Sequence, residues 1–238
     1  QLEGGETVTI TTFDSAQGTV LYDGAASVTI PTFTATYFNL TFDEAGAANP
    51  TYTLPDVNLT VNGVLSVADG TVAFDNDKNL VVNDNGATGT AVSVAAAGIW
   101  SNAGTGDLTL KGAVANAGTI TFNSSDDAGN GITIASSGAA VQRNWQGAGT
   151  FNMTDVNASY QSCVGGTPAF ILVSSGTDGL NNTNWLFGGG TLTATDVEPA
   201  SLAARAEGDV LVGFTLVNLL PVDGKIVIDF PAGFDATG

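Results

Sequence analysis

The chain contains no histidine, and cysteine occurs once among its 238 residues, at Cys163. Without histidine, a Ser-His-Asp triad, a Cys-His dyad and a histidine metal site are all excluded. One cysteine also excludes an intrachain disulfide and a cysteine zinc site, so we expect Cys163 to be a small buried side chain rather than a reactive thiol. Long hydrophobic runs are missing too, since no stretch approaches the roughly 20 apolar residues of a membrane helix.

Basic residues are scarce: five Lys and Arg stand against 23 Asp and Glu, which gives a formal net charge of −18. Nucleic acids and anionic lipid surfaces are bound through Lys and Arg that replace counterions. The charge balance therefore predicts no nucleic-acid partner, and the hydropathy pattern predicts no membrane insertion.

The remaining composition indicates a secreted surface protein. The chain begins at Gln1 rather than Met, which predicts that a signal peptide has been removed. Lysine is low, methionine occurs once, and Thr, Gly, Asn and Asp are abundant. This composition is typical of bacterial or archaeal surface proteins, so we expect an extracellular or cell-surface location.

A short phrase recurs about every twenty residues: "NLTF" begins at Asn39, "NLTV" at Asn58 and "NLVV" at Asn79. Similar apolar-x-apolar phrases begin at Asp107, Gly131, Thr150 and Ala169, whereas 87–106 departs from the pattern. Such bursts, bounded by Gly, Asn and Asp, indicate strands and tight turns. The period predicts a parallel β-helix of roughly eight coils, in which each phrase is the inward-facing strand. A chain of small β-sandwiches is the alternative.

The segments "GTVLYDGAASVTIPTFTATYFNLTF" (18–42) and "YTLPDVNLTVNGVLSVADGTVAF" resemble the repeats of large secreted bacterial surface proteins. "SSGTDGLNNTNWLF" resembles the closing phrase of such modules. The resemblance covers 18–187 and implies a parallel β-helical stalk of the filamentous-haemagglutinin or autotransporter-passenger kind. Right-handed winding is expected from the general hand of parallel crossovers.

A glycine-rich linker, "FGGGT" (187–191), separates this region from a C-terminal segment, 188–238. The segment around "PVDGKIVIDFPAGF" resembles the first half of an immunoglobulin-like surface-protein module, and the strand patterns are "VLVGFTLVN" and "KIVIDF". On propensity "VEPASLAARAEGD" could form a short helix, whereas the resemblance implies extended chain or a turn.

The C-terminal segment is short for a β-sandwich, which takes about 100 residues. Either the chain continues, or another subunit supplies the missing strands by β-augmentation. The natural donor is the N-terminal segment 1–17, through its alternating stretch "ETVTITTF". Head-to-tail donation of this kind would build an open filament.

These features predict a non-enzymatic extracellular structural or adhesive protein that self-associates into a filament or surface layer, and a glycan or another cell-surface molecule is a possible ligand. The alternative is a carbohydrate-active or carbohydrate-binding β-helix, similar to a polysaccharide lyase or glycosidase. Arg143 and Trp145, in "QRNWQG", could then form a sugar-binding shelf, although an Arg stem lying on an exposed ring is the plainer interpretation.

Two further sites are candidates. "DNDKN" offers Asp75, Asp77 and Asn79 as calcium ligands at a corner, although Leu80 and Gly86 exclude an EF-hand, and a solvated turn is the alternative. Among six N-x-S/T sequons, Asn181 in "GLNNTNW" is the one that we expect to carry a glycan if any does.

Overall fold

The computed structural model describes residues 2, 14–32, 34–44, 46–83, 89–124, 131–138, 140–188, 193–199 and 210–215. The chain divides into two compact units, Gln1–Gly189 and Gly190–Gly238. In the first unit every strand pairing between described residues is parallel. No helix is present in the described residues. The first unit is therefore a parallel β-solenoid of about six turns.

The solenoid has three faces. The first face contains β1 (Thr19–Tyr22), β4 (Asn39–Phe42), the start of β7 (Leu65–Ala73), the start of β9 (Thr90–Asn102), β11 (Ala113–Asn116), β14 (Arg143–Gln146) and β17 (Gln161–Ser162). The second face contains β2 (Val28–Thr29), β5 (Thr51–Thr53), the ends of β7 and β9, β12 (Thr119–Asn123), β15 (Thr150–Thr154), β18 (Ile171–Val173) and β19 (Trp185–Phe187). The third face contains β3 (Thr36–Tyr37), β6 (Leu59–Val61), β8 (Leu80–Val82), β10 (Leu108–Leu110), β13 (Ile132–Ser136) and β16 (Val156–Ala158).

The parallel solenoid confirms the predicted β-helix and excludes tandem sandwiches in this region, because sandwiches pair their strands antiparallel. The predicted count of eight coils is wrong. The coils are longer than twenty residues on average: corner hydrogen bonds join residues 21, 28 and 26 positions apart in successive coils. About six turns at ~4.8 Å each give a stack of roughly 30 Å rather than 40 Å.

We expected the recurring phrase to form the same strand in every coil, but its copies lie on different faces. The phrases at Asn58, Asn79, Asp107 and Gly131 stack on the third face, where Leu59 pairs with Leu80 and Leu80 with Leu108. The phrase at Asn39 forms β4 on the first face, and those at Thr150 and Ala169 lead into strands of the second. Any strand with one buried side shows apolar-x-apolar alternation, so the pattern identifies strands without assigning them to a sheet.

Segment 87–106, which departs from the repeat, contains the longest described strand. β9 covers thirteen residues and pairs with β7 along both the first and the second face. The register shifts between Val67 and Asp69, where the two strands turn the corner together. A strand that continues around a corner needs no turn residues there, which explains why the turn signals are weak in this segment.

The core is one continuous cluster that contains inward side chains of all three faces. Towards the N-terminal coils, Tyr22 stacks on Phe42 at 5.6 Å between ring centroids, and Phe42 contacts Tyr52. Towards the C-terminal coils, Trp100 packs edge-on against Phe122 at 4.9 Å. Each coil therefore buries its apolar row against the next one, which it could not do alone.

The second unit is described only in part. β20 (Thr193–Pro199) pairs antiparallel with β21 (Val210–Thr215). Val197–Pro199 is therefore extended, in agreement with the non-helical alternative, while the rest of "VEPASLAARAEGD" up to Asp209 lies outside the described residues. So does "KIVIDF". One antiparallel pair does not establish an immunoglobulin-like module, and that assignment stays a prediction.

Candidate functional site

A ladder of Asn and Asp side chains lines one corner of the solenoid, just before the strands of the third face. The Asn58 Oδ1 atom accepts a hydrogen bond from the Asn79 backbone nitrogen at 2.9 Å, and the Asp107 Oδ1 atom accepts one from the Thr133 nitrogen at 3.0 Å. Between these two rungs, the Asn79 Oδ1 atom accepts from the Asp107 nitrogen. The side chain of the first residue of the recurring phrase thus hydrogen-bonds one coil to the next.

The predicted calcium ligands lie in the turn after β7, and two of the three take part in bonds between coils. The Asp75 Oδ1 atom accepts from the Ala103 backbone nitrogen at 3.1 Å, and Asn79 belongs to the corner ladder. Asp77 instead forms an ion pair with Lys78, which lowers the Asp77 pKa through their hydrogen bond and raises the Lys78 pKa. Calcium binding here stays a prediction, checked by comparing the melting temperature with and without a chelator.

Trp145 forms no sugar-binding shelf with Arg143. The indole is fully buried, and it packs edge-on against Trp185 at 5.3 Å between centroids. Its Nε1 atom donates to the Oε1 atom of the equally buried Gln161 at 2.9 Å. The Arg143 Nε atom donates to the Ser136 hydroxyl at 2.9 Å. Both sequence interpretations are wrong, because Trp145 is the inward residue of β14 and leaves no exposed ring for a sugar or for an Arg stem.

Asn181 is exposed and has a left-handed backbone, with φ of 61°. Its backbone oxygen accepts from the Gln142 Nε2 atom at 2.6 Å, so the loop is attached to a residue two coils earlier through main chain rather than through the asparagine amide. In contrast, the sequon residues Asn39 and Asn58 use their amide oxygens within the solenoid. The Asn181 amide is therefore available to a glycosyltransferase, and its modification stays a prediction.

Cys163 is buried, with 1% of its surface exposed, as expected for a structural cysteine. Its Sγ atom donates to the Pro168 oxygen at 3.1 Å. Burial raises the pKa of this thiol, which keeps it in the unreactive protonated form.

An open groove of about 460 Å³ lies on the corner between the first and second faces. Most of its lining consists of small residues, and its polar side chains are Ser93, Asn116, Gln146 and Thr167. Asn116 is buried and uses its amide internally, since its Nδ2 atom donates to Thr150 and its Oδ1 atom accepts from Gly118. The floor of the groove is therefore held by the hydrogen bonds of the fold itself.

From β2 to β15, the outward side of the second face carries hydroxyl and amide side chains in two long columns, and beyond β15 it continues with Leu172 and Leu186. We call this surface the hydroxyl face. One column is Thr51, Thr71, Ile99, Thr119 and Thr150, in register from coil to coil. The other is Thr29, Thr53, Ala73, Ser101, Thr121 and Asn152. This surface was not predicted from the sequence, because the T-x-T spacing at 51–53 and 119–121 indicates single strands and not their alignment across coils.

At the N-terminal end of the solenoid, Leu2 forms a parallel bridge with Tyr22. The Leu2 nitrogen donates to the Leu21 oxygen at 2.8 Å, and the Asp23 nitrogen donates to Leu2 at 3.0 Å. The proposed donor stretch "ETVTITTF" (6–13) lies outside the described residues.

Among the described residues, no three His, Cys, Asp or Glu side chains gather where they could hold a metal ion. The described residues also contain no helix long and apolar enough to cross a bilayer. Comparisons of the chain with protein-family models, with curated proteins and with solved structures find no match.

Proposed function

We propose that this protein is a non-enzymatic extracellular structural or adhesive element: a stalk, or a subunit of a cell-surface filament or layer. The observation that supports this best is the combination of a core that runs through all the coils with hydrogen-bonded ladders on the corners. Each coil is attached to its neighbours by backbone pairing, side-chain packing and corner side chains at once. Such a stack resists bending and suits a load-bearing or spacing role.

Most described acidic side chains of the solenoid are in contact with solvent, although Glu44 and Asp155 are buried. In the solenoid, the described acidic residues lie in turns and corners, as Asp43, Asp56 and Asp75 do, or at the bend of β7, as Asp69 does. Their mutual repulsion keeps copies soluble, and their position at turns leaves the described faces of the solenoid free of acidic side chains. Association would therefore be expected through strand edges or faces rather than through ion pairs.

Filament assembly by strand donation is part of the proposal. The stretch 6–13 of one copy, which follows the bridge at Leu2, would add a strand to the C-terminal unit of the next, and repetition of this contact would not close. The test is electron microscopy of the purified chain beside a variant that lacks residues 1–13. We expect open filaments from the full chain and monomers from the truncated chain.

A matched control distinguishes the loss of strand donation from a folding defect caused by the truncation. The Thr7→Pro, Thr9→Pro variant keeps the length of the segment but blocks strand pairing, because proline cannot donate to a ladder. Filaments from either variant would contradict strand donation. If the full chain stays monomeric across a range of ionic strength and calcium concentration, the filament role itself is wrong.

A carbohydrate-active or carbohydrate-binding β-helix is the second candidate, and the corner groove favours it. Gln146 is exposed at the groove, and polar amides bind sugar hydroxyls. Incubation with a panel of acidic and neutral polysaccharides would test this candidate, with release of reducing or unsaturated ends as the readout. Cleavage that is lost in Gln146→Ala, but kept in Asn157→Ala on the third face, would favour the enzyme over the scaffold.

A further inference from the structure

The hydroxyl face is a regular two-dimensional array. Its rows follow the strands, where outward residues recur every second position at about 6.6 Å, and its columns cross the coils at about 4.8 Å. Pairing is continuous along the whole surface: Thr53 pairs with Ala73, Ala73 with Ser101, and Ser101 with Thr121. The register shift in β7 lies at the corner, outside the array. The positions of the hydroxyls are therefore set by backbone pairing and not by mobile loops.

Most hydroxyls of the array have no partner within the described part of the chain. The side chains of Thr51, Thr71, Thr119 and Thr150 make no hydrogen bond to another described residue, although each is a donor and an acceptor. Two described side-chain bonds involve the hydroxyls of the array: Asn152 donates to the Thr121 hydroxyl at 3.2 Å, and the Ser101 hydroxyl donates to the Val72 backbone oxygen at 3.5 Å. Threonine is stiff at χ1, so these hydroxyls and methyls keep a fixed orientation.

The array carries no charge, although the chain has a net charge of −18. Its outward positions are threonine, serine and asparagine, interrupted by Ile99 and by the small Ala73. The aromatic rings of these strands point inward, as Trp100 and Phe122 show. An uncharged surface without exposed rings complements an uncharged ligand, and it lacks the aromatic platform on which sugar rings stack.

We propose that the hydroxyl face binds the surface of an ice crystal. Ice is a rigid, uncharged lattice of water molecules whose repeat distances are close to those of this array. The threonine hydroxyls would hydrogen-bond to lattice water, and the methyl groups between them would order further water in the gaps. The inference adds a ligand to the proposed scaffold, and filament formation can fail without affecting it.

The test is ice-affinity partitioning of the full chain, with thermal hysteresis as a second readout. We expect the wild-type chain to be enriched in slowly grown ice and to show hysteresis, whereas serum albumin stays in the liquid. Thr71→Lys and Thr119→Lys place a bulky charge in the middle of the array and should abolish both signals. Thr119→Val removes one hydroxyl while it keeps the β-branched shape, and should weaken them.

The matched controls are Thr60→Lys and Thr109→Lys, since both residues are half-buried outward positions on the third face. These variants should keep the wild-type signals, and circular dichroism should show that all variants fold. Exclusion of the wild-type chain from ice would overturn the inference. An equal loss in both sets of variants would also overturn it, as would binding to microcrystalline cellulose or chitin without binding to ice.

Discussion

The side-chain oxygen of Asn79 accepts a hydrogen bond from the backbone nitrogen of Asp107 at 3.2 Å, across 28 residues of sequence and one coil of the solenoid. The Asn79 nitrogen in turn donates to the Asn58 side chain. One residue thus links three coils, and it is the first residue of the recurring phrase.

Replacement of Asn79 by alanine should lower the free energy of unfolding by about 0.5–1.5 kcal/mol, the net value of one hydrogen bond. Asn79→Asp is the matched control, because Asp107 shows that a carboxylate serves as an acceptor in the same ladder. It should retain most of the stability. Urea denaturation followed by circular dichroism measures both, and equal losses would show that the acceptor oxygen is not the source of the stability.

Trp145→Ala should destabilise the protein by about 3–5 kcal/mol, since it removes a large buried side chain from a packed core. The cavity would border Trp100, Phe122 and Trp185, which lie within 6.5 Å of the Trp145 ring, centroid to centroid.

Leu180→Ala is the comparison for this change, since that side chain is 67% exposed and its loss should alter the stability by no more than about 0.5 kcal/mol. Thermal unfolding followed by tryptophan fluorescence measures both variants. If Trp145→Ala melts like the wild type, the ring is not part of the core.

Gly147→Ala should be more destabilising than Gly165→Ala. Both glycines have positive φ, 131° and 82°, so alanine strains the backbone in each case. At Gly165 nothing lies near the added carbon, and a cost of about 1–2 kcal/mol is expected. At Gly147 the added carbon would overlap the backbone oxygen of Asn116, so neighbouring coils would have to separate. Chemical denaturation measures the loss of stability in each variant relative to the wild type. If Gly147→Ala and Gly165→Ala lose the same stability, the predicted difference is wrong.

Stability should be lost at alkaline pH as buried tyrosines ionise. Burial raises the pKa of Tyr37 from 10.0 to about 12, and burial with the nearby Glu44 carboxylate raises that of Tyr52 to about 12. Because the pKa of each tyrosine is higher in the folded state than in the unfolded state, the neutral phenols stabilise the fold fully below pH 10. This stabilisation is lost between pH 10 and about pH 12.

Absorbance at 295 nm during alkaline titration, beside circular dichroism, would follow this loss. In the wild type, phenolate formation should accompany unfolding. Tyr37→Phe should unfold less steeply in this window, and an unchanged profile would remove Tyr37 as a cause.

Much of the solenoid could be predicted from sequence, and the limits have a physical cause. Leu59, Val61, Leu80 and Val82 alternate with outward residues, so their burial follows from the strand period. The same alternation could not show that Asn39 begins a strand of another face, because every face has the same period. Coil length was underestimated for that reason, since the 19-residue steps from Asn39 to Asn58 and from Gly131 to Thr150 connect strands of different faces.

Trp145 shows the limit for site prediction. Beside Arg143 and between polar residues it looked like a surface ring, yet the two-residue period of β14 points it inward, where Gln161 satisfies its Nε1 atom. Polar partners that lie far apart in sequence cannot be identified from local pattern. The hydroxyl face was missed because single outward threonines are common in strands. Only the pairing between coils aligns them into an array.

The bends of the solenoid vary in length, while the strands of the third face keep their register. From one coil to the next the separation between bonded residues changes from 21 to 28 positions, yet Leu59, Leu80 and Leu108 remain stacked. Evolution can therefore lengthen or replace a bend without repacking the interior. Related chains should therefore differ in length at the bends and keep the length of the strands.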